Sequence, residues 1–366
     1  MREFNETKVA QLFIICMQFA SIYSSSNLAK ILPASYFTNF AYGVSILCIF
    51  LKYIALKEKF SISSFVNLLI MGFVAYMGFS NARGALFLEL LLYILVLKET
   101  NEIKVIKTLL ITKAAASLFI FFAALLGFGD LYVTAGGARS FSFGFSNNNF
   151  VGGILFDISM AAMILHYYEH QKTFIISIIA AALFCFFVID CRAAVICFVA
   201  VLLLLAVGEG LYKYKVIRGT TIILFEVFTI ISYLGAVFLP RISFLSQLNM
   251  ILSHRLETWF YYFTNMRPAL FGNRFYTAQL LALDNAYLYT LMRYGIIIFV
   301  IHCLLFNRMT AIYMRKNSVL LLVATISYEI YGLVESSSIT VAHCVPFIYF
   351  ISCEFFRSEE VTDLGY

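Results

Sequence analysis

Charge is what this sequence has least of. Asp, Glu, Lys and Arg make up 13% of its 366 residues, about half the share of a soluble domain. That excludes a water-soluble globular chain. It also excludes a disordered one, which stays open through high charge and few apolar residues. With 4 Pro and one Trp, and no low-complexity tract or Pro/Ser-rich linker, collagen and coiled coil are excluded too. The 8 cysteines build neither a disulfide framework nor a metal site, since no CxxC or Cys/His spacing occurs. Cys16, Cys48, Cys185, Cys197, Cys303, Cys344 and Cys353 lie within apolar runs. Cys191 alone stands near an external boundary, with no partner there. All read as small packing residues. No Asp-x-Asp nucleotide-sugar motif and no internal repeat is visible.

What the chain has instead is apolar mass. Hydrophobic residues reach 62%, with 39 Phe and 23 Tyr, and the mean hydropathy is +0.90. The fold class that follows is an all-α polytopic membrane protein, one integral membrane domain over residues 1–366. A bilayer core about 30 Å thick needs roughly 20 apolar residues per helix. That measure gives twelve candidate spans, near 9–27, 36–56, 60–79, 83–97, 108–128, 148–168, 172–189, 193–208, 219–239, 285–306, 318–334 and 338–356, of which the fourth, seventh, eighth, eleventh and twelfth are short or closely spaced. Arg2 and Lys8 precede the first run as in a signal peptide. Ser24-Ser25-Ser26 is a poor cleavage site, so the run is expected to remain a helix.

Basic residues set the orientation. With both termini cytoplasmic, 17 of the 26 Lys and Arg fall inside, Lys52 and Lys113 among them, 8 fall outside, and Arg293 lies within a span. The net charge of +6 is therefore a topology signal, and no nucleic-acid partner is expected. Residue type divides more sharply than number. The inside holds twelve Lys and five Arg; the outside holds Lys30 and seven Arg. Either cation serves topology, whereas only Arg offers a planar fork that grips phosphate or carboxylate through two hydrogen bonds. The outer face is thus expected to bind anions.

Two external segments are long enough to hold a site, residues 129–147 and 240–284. In the second, Leu256, Trp259, Phe260, Phe263 and Met266 recur at helical spacing. This predicts an amphipathic helix with its aromatic face towards lipid or the bundle. Five polar motifs fall on the same predicted side. Arg139 precedes Asn147-Asn148-Asn149, which stand where a helix N-terminus would meet an anion. Asp190-Cys191-Arg192 forms a very short turn between spans. His254-Arg255-Leu256-Glu257 opens the amphipathic stretch, with Arg267 and Arg274 following. Asp284-Asn285-Ala286-Tyr287 opens the tenth span, with Arg293 further in. Tyr331-Gly332-Leu333-Val334-Glu335 closes the eleventh. Asp157, Glu226 and Glu329 are intramembrane acids, each read alone as a satisfied helix–helix contact.

In this order the motifs resemble the O-antigen polymerase and ligase superfamily, above all the Wzy-type oligosaccharide repeat-unit polymerases. The residues that carry the resemblance are ARSFSFGFSNNN (138–149), DCRAA (190–194), HRLETW (254–259), DNAYLYTLMRYGII (284–297) and YGLVES (331–336). They cover roughly residues 130–340. The family's Asn-Pro-Asn stands here as Asn147-Asn148-Asn149, and its Ser-Arg as Cys191-Arg192. Ligase-type members often carry His-Asn where this chain has Asp284-Asn285, which favours polymerase over ligase.

The resemblance implies a GT-C-like glycosyltransferase in the bacterial cytoplasmic membrane, its active site facing outward. It would join undecaprenyl-pyrophosphate-linked oligosaccharide repeat units into a capsular, exopolysaccharide or O-antigen chain. Partners would be that lipid-linked oligosaccharide, membrane lipid, and the flippase and chain-length regulator of the same pathway. No cofactor and no metal is expected. Arg139, Arg192 and Arg255 would bind the pyrophosphate and stabilise it as it leaves, with Arg274 and Arg293 as further candidates. Asn147, Asn149, Asn285 and Tyr287 would line the substrate. Asp284 leads the candidates for general base, followed by Glu257, His254 and Glu335. Tyr132, Trp259, Tyr261 and Tyr262 are available to stack on sugar rings. An O-antigen-type ligase, or a flippase for the same lipid-linked glycan, remains the alternative. A membrane acyltransferase would need a deep catalytic His, for which His343 is the lone candidate.

Overall fold

With so few prolines, little interrupts the apolar runs, and they fold as helices. The structure is a computed structural model that describes residues 2–55, 62–82, 85–98, 100–135, 138–169, 173–208, 210, 214–239, 242–252, 254–273 and 283–355. The helices are α1 (Arg2–Ser24), α2 (Ala34–Phe50), α3 (Ile62–Ala82), α4 (Leu86–Leu97), α5 (Glu102–Leu125), α6 (Asn148–Glu169), α7 (Thr173–Phe184) and α8 (Arg192–Val207). They continue as α9 (Lys215–Ile222), α10 (Leu224–Phe238), α11 (Ser243–Ile251), α12 (Arg255–Asn265), α13 (Ala286–Tyr289), α14 (Ile296–Arg315), α15 (Val319–Gly332) and α16 (Val345–Cys353).

Among the described residues, four helical stretches are long and apolar enough to cross a membrane: Ala34–Tyr53, Glu102–Leu125, Asn148–Tyr167 and Ile296–Arg315. The pair α9 and α10 adds a fifth if its 74° bend at Ile223 lies within one span. Those helices turn apolar side chains such as Phe40, Phe119, Phe122 and Leu304 outward, as expected where lipid is the solvent. The remaining apolar helices are shorter. α4, α15 and α16 lie inside the bundle, and nearly all of their side chains are buried.

Three expectations change here. The tenth run, 285–306, is not one helix. Short α13 passes through a π turn (Thr290–Tyr294), the chain breaks at Gly295, and α14 runs from Ile296. The twelfth run, 338–356, yields a helix only over Val345–Cys353, about 14 Å long at 1.5 Å per residue. Its apolarity reflects burial against α4, α5 and α6. Lys52 and Lys113 are not surface cations. Lys52 is buried and donates to the carbonyls of Val96 (3.0 Å) and Lys98. Lys113 is fully buried against Asp157 at 2.7 Å.

The segment 129–147 carries a hairpin, β1 (Tyr132–Ala135) against β2 (Ala138–Phe141), antiparallel with Tyr132 opposite Phe141. Asn27 fastens it to the end of α1, donating through its amide to the carbonyls of Asp130 (3.1 Å) and Phe145 (3.0 Å). The amphipathic helix in 240–284 is α12. It lays Leu256, Trp259 and Tyr262 on α10 around Ala236, so its aromatic face turns to the bundle. The far end of that loop is clipped to the start of α14, where Gly272 and Gly295 cross with φ of +90° and +93°. A Cβ on Gly295 would stand 2.3 Å from the Gly272 nitrogen, and one on Gly272 would stand 2.1 Å from the Arg293 carbonyl. Only glycine fits either position.

Candidate functional site

The five polar motifs converge at one end of the bundle. Asn147, Asn148 and Asn149 start α6, and each has a separate use. Asn147 Oδ1 accepts from the Asn149 backbone N–H at 2.9 Å, an Asx turn that sets the helix entry. The Asn148 amide group donates to the carbonyls of Ile189 (3.2 Å) and Asp190 (3.3 Å), tying this turn to the next motif. Asn149 accepts from the buried Cys191 thiol at 3.5 Å. Asp190 adopts a left-handed conformation (φ 55°), which Asp tolerates. The turn then runs directly into α8. Burial holds the Cys191 thiol protonated, its pKa pushed up to about 11, so it packs and does not attack.

The third, fourth and fifth motifs form the charged centre. Arg255, at the first turn of α12, donates to Asp284 at 3.5 Å, and the two side chains are only 14% and 31% exposed. Glu335, just beyond α15, lies within electrostatic reach of both. Burial first, and then the like charge of Asp284, push the Glu335 carboxyl up to about 7, while Arg255 and Ser337 oppose the rise. Asp284 is also raised by burial and held back by Arg255. Glu335 therefore holds a proton near neutrality, while Arg255 is paired with Asp284. That carboxyl can take a proton while the Arg faces an anion.

Beside Glu335 a narrow crevice runs between Asn149 and Tyr331 down to Asp157 and His343. Its free volume, about 20 Å³, admits roughly one water molecule. Any larger substrate must therefore lie over its mouth. The floor is a buried polar cluster. Asp157 accepts from Lys113 (2.7 Å) and Tyr328 (2.7 Å), and its Oδ2 lies 3.4 Å from His343 Nδ1. His343 Nε2 in turn lies 3.3 Å from Ser21 Oγ. Asp157 is thus a satisfied contact, as expected, but of a charged kind. Neither its partner Lys113, 44 residues away, nor its partner His343 shares a motif with it, so no spacing announces the cluster.

Other sequence candidates stand apart from this centre. Arg192 is 71% exposed and only 3.9 Å from Asp190, itself exposed. His254 and Glu257 face each other at 3.3 Å in solvent, 70% and 66% exposed. Arg267 is exposed. Arg293 lies at the clip before Gly295, not mid-span, because the long helix starts three residues later. It donates to the Tyr289 hydroxyl and stacks over the Tyr289 and Tyr294 rings.

Two candidates prove internal. Asn285 is fully buried, caps α13 by accepting from the Leu288 amide (2.9 Å), and donates to Ser232 Oγ (2.9 Å). Tyr287 is fully buried too, donating to the Glu329 carbonyl at 2.5 Å and packing edge-on against Phe225. It cannot touch a glycan. Trp259 and Tyr262 are buried under α12, whereas Tyr132 and Tyr261 are exposed. The Arg139 side chain and the whole of Arg274 lie outside the described residues; the Arg139 backbone pairs with Thr134 in the hairpin. Among the described residues, no group of three or more His, Cys, Asp or Glu side chains is arranged to hold a metal.

No protein-family profile, curated protein or solved structure matches this chain.

Proposed function

We propose that this chain is a membrane glycosyltransferase that polymerises polyprenyl-pyrophosphate-linked oligosaccharide repeat units. The observation that carries the reading is the meeting of Arg255, Asp284 and Glu335 beside the Asn147–Asn149 and Asp190–Arg192 turns. That end of the bundle offers a desolvated cation, a carboxyl poised near neutrality and a crevice too narrow for a sugar, over whose mouth a substrate would lie. The acceptor sugar hydroxyl attacks the anomeric carbon and gives its proton to Glu335. The bond from that carbon to the pyrophosphate breaks, and its electron pair leaves on a phosphate oxygen. Arg255 neutralises the charge as it grows, with Arg192 at the solvent edge; fixed cations facing developing charge are usually the largest catalytic term. Asp284 anchors Arg255 and is the second candidate base. The shorter apolar helices other than α16 are then further crossings in a GT-C-like arrangement, with this end outward in a bacterial cytoplasmic membrane.

The test is a size profile of lipid-linked glycans from cells lacking the protein. Single repeat units accumulating on the outer leaflet, with no long polymer, are expected. Units trapped on the inner leaflet would instead make the protein a flippase. Long lipid-linked polymer that never reaches its final acceptor would make it a ligase.

A further inference from the structure

A second polar cluster lies between α10, α14 and α15, on the far side of Ser232 from the Arg255 centre. Glu226 is in the first turn of α10, roughly 9 Å along the helix from Ser232. Its Oε1 accepts from the Asn307 amide at 2.7 Å. Four oxygens on these helices are buried with no hydrogen-bond partner: Glu226 Oε2, Asn307 Oδ1, Thr310 Oγ1 and Glu329 Oε2. Glu329 is 1% exposed and Thr310 is completely buried. Glu226 is the charged group that acts on Glu329.

Asn307 and Thr310 are one turn apart and share a face of α14. The next residue along that face, Met314, packs with Leu322 and Ile326 of α15 and with Leu224 of α10, closing one end with apolar side chains. The orphan atoms thus sit where the three helices meet. All four are oxygens, and the Asn307 nitrogen is already turned to Glu226. A buried carboxyl oxygen with no partner is strongly destabilised in its ionised form unless something positive joins it. Two carboxyl groups with an amide oxygen and a hydroxyl are the donor set of a hard cation. Only two of these side chains are acids, so the arrangement differs from a cluster of three or more His, Cys, Asp or Glu.

We propose that Glu226, Asn307 and Glu329, with Thr310 beside them, bind a hard metal cation such as sodium, magnesium or calcium within the bundle. The ion would lock α10 to α14 and α15. Since α10 also seats α12 and hence Arg255, occupancy would set how firmly the outer centre is held. The proposal stands whether or not the protein is a polymerase.

The experiment uses the purified full chain in lipid nanodiscs. Thermal unfolding is followed in NaCl, MgCl₂ or CaCl₂, each against N-methylglucamine chloride at equal ionic strength. At ~100 times the dissociation constant, one of these ions is expected to raise the midpoint by about 3–5 °C, with saturation. Which ion does so separates a monovalent from a divalent site. Glu226→Gln and Glu329→Gln should each abolish the shift, while Asp130→Asn keeps it. Should the Gln variants fail to fold, binding of radioactive sodium or calcium to the wild type answers the same question. No shift and no radioactive binding overturns the proposal. So do Gln variants more stable than wild type in every salt, which would make the acids a protonated pair.

Discussion

Arg192 and Arg255 carry the same charge in very different solvent. Arg255 is 14% exposed and fixed by Asp284, whereas Arg192 is 71% exposed. A guanidinium out of water acts more strongly on nearby charge. On the proposed polymerase activity, Arg255→Lys should lower polymer formation by roughly 100-fold or more, with the protein still inserted, and Arg192→Lys by clearly less. Polymer length and yield from membranes of each variant measure this. Equal, small losses would remove Arg255 from the centre. For Glu335, raised to about 7, activity should climb as pH rises through 7, and Glu335→Gln should flatten that climb. The sign for stability is opposite. A carboxyl raised from 4.5 to about 7 holds its proton more tightly when folded, so stability falls between those pH values. Glu335→Gln should therefore unfold later than wild type at pH 8 and alike at pH 4. The residue types of this centre were legible in the sequence: Arg255, Asp284 and Glu335 stood among the candidates. Their ranking was not, because exposure decides it. Tyr287 shares a motif with Asp284, and Arg192 was ranked beside Arg255, yet one is sealed inside and the other is in water.

At the scale of elements, α12 was the most readable feature. The spacing of Leu256 and Trp259 has only one helical solution, and that face is indeed covered. Runs of apolar residues misled where burial by protein mimics burial by lipid. The stretch 338–356 is apolar because α16 is surrounded by other helices, and hydropathy does not distinguish the two surroundings. The break before α14 left a fainter trace, a glycine at 295 whose meaning depends on Gly272 crossing it. Gly295→Ala should cost more than about 2 kcal/mol, since the added carbon meets backbone at 2.3 and 2.6 Å and nothing there can yield. A lower unfolding midpoint, with polymer lost in proportion to folded protein, is the expected result. A midpoint equal to wild type would mean that the loop and α14 are not clipped.

Taken whole, the molecule is a bundle whose interior is both apolar and charged. Lys113 and Asp157 join α5 to α6 at full burial, with Tyr328 and His343 completing the shell. Replacing Lys113 by Leu strands the acid and should destabilise the protein by about 3–5 kcal/mol. The double change Lys113→Leu with Asp157→Leu should recover most of that loss. Thermal unfolding of the single and double variants gives the coupling, and additive losses would show that the pair is not one unit. The same pair bears on how the chain is made. Lys113 is the twelfth of the 24 residues of α5, and a lysine at a helix centre raises the cost of membrane entry by about 2.5–3.5 kcal/mol. Its acid is translated 44 residues later. During synthesis α5 is therefore a reluctant guest in lipid, and the arrival of α6 completes its welcome, so that the two helices enter as a pair and not in succession.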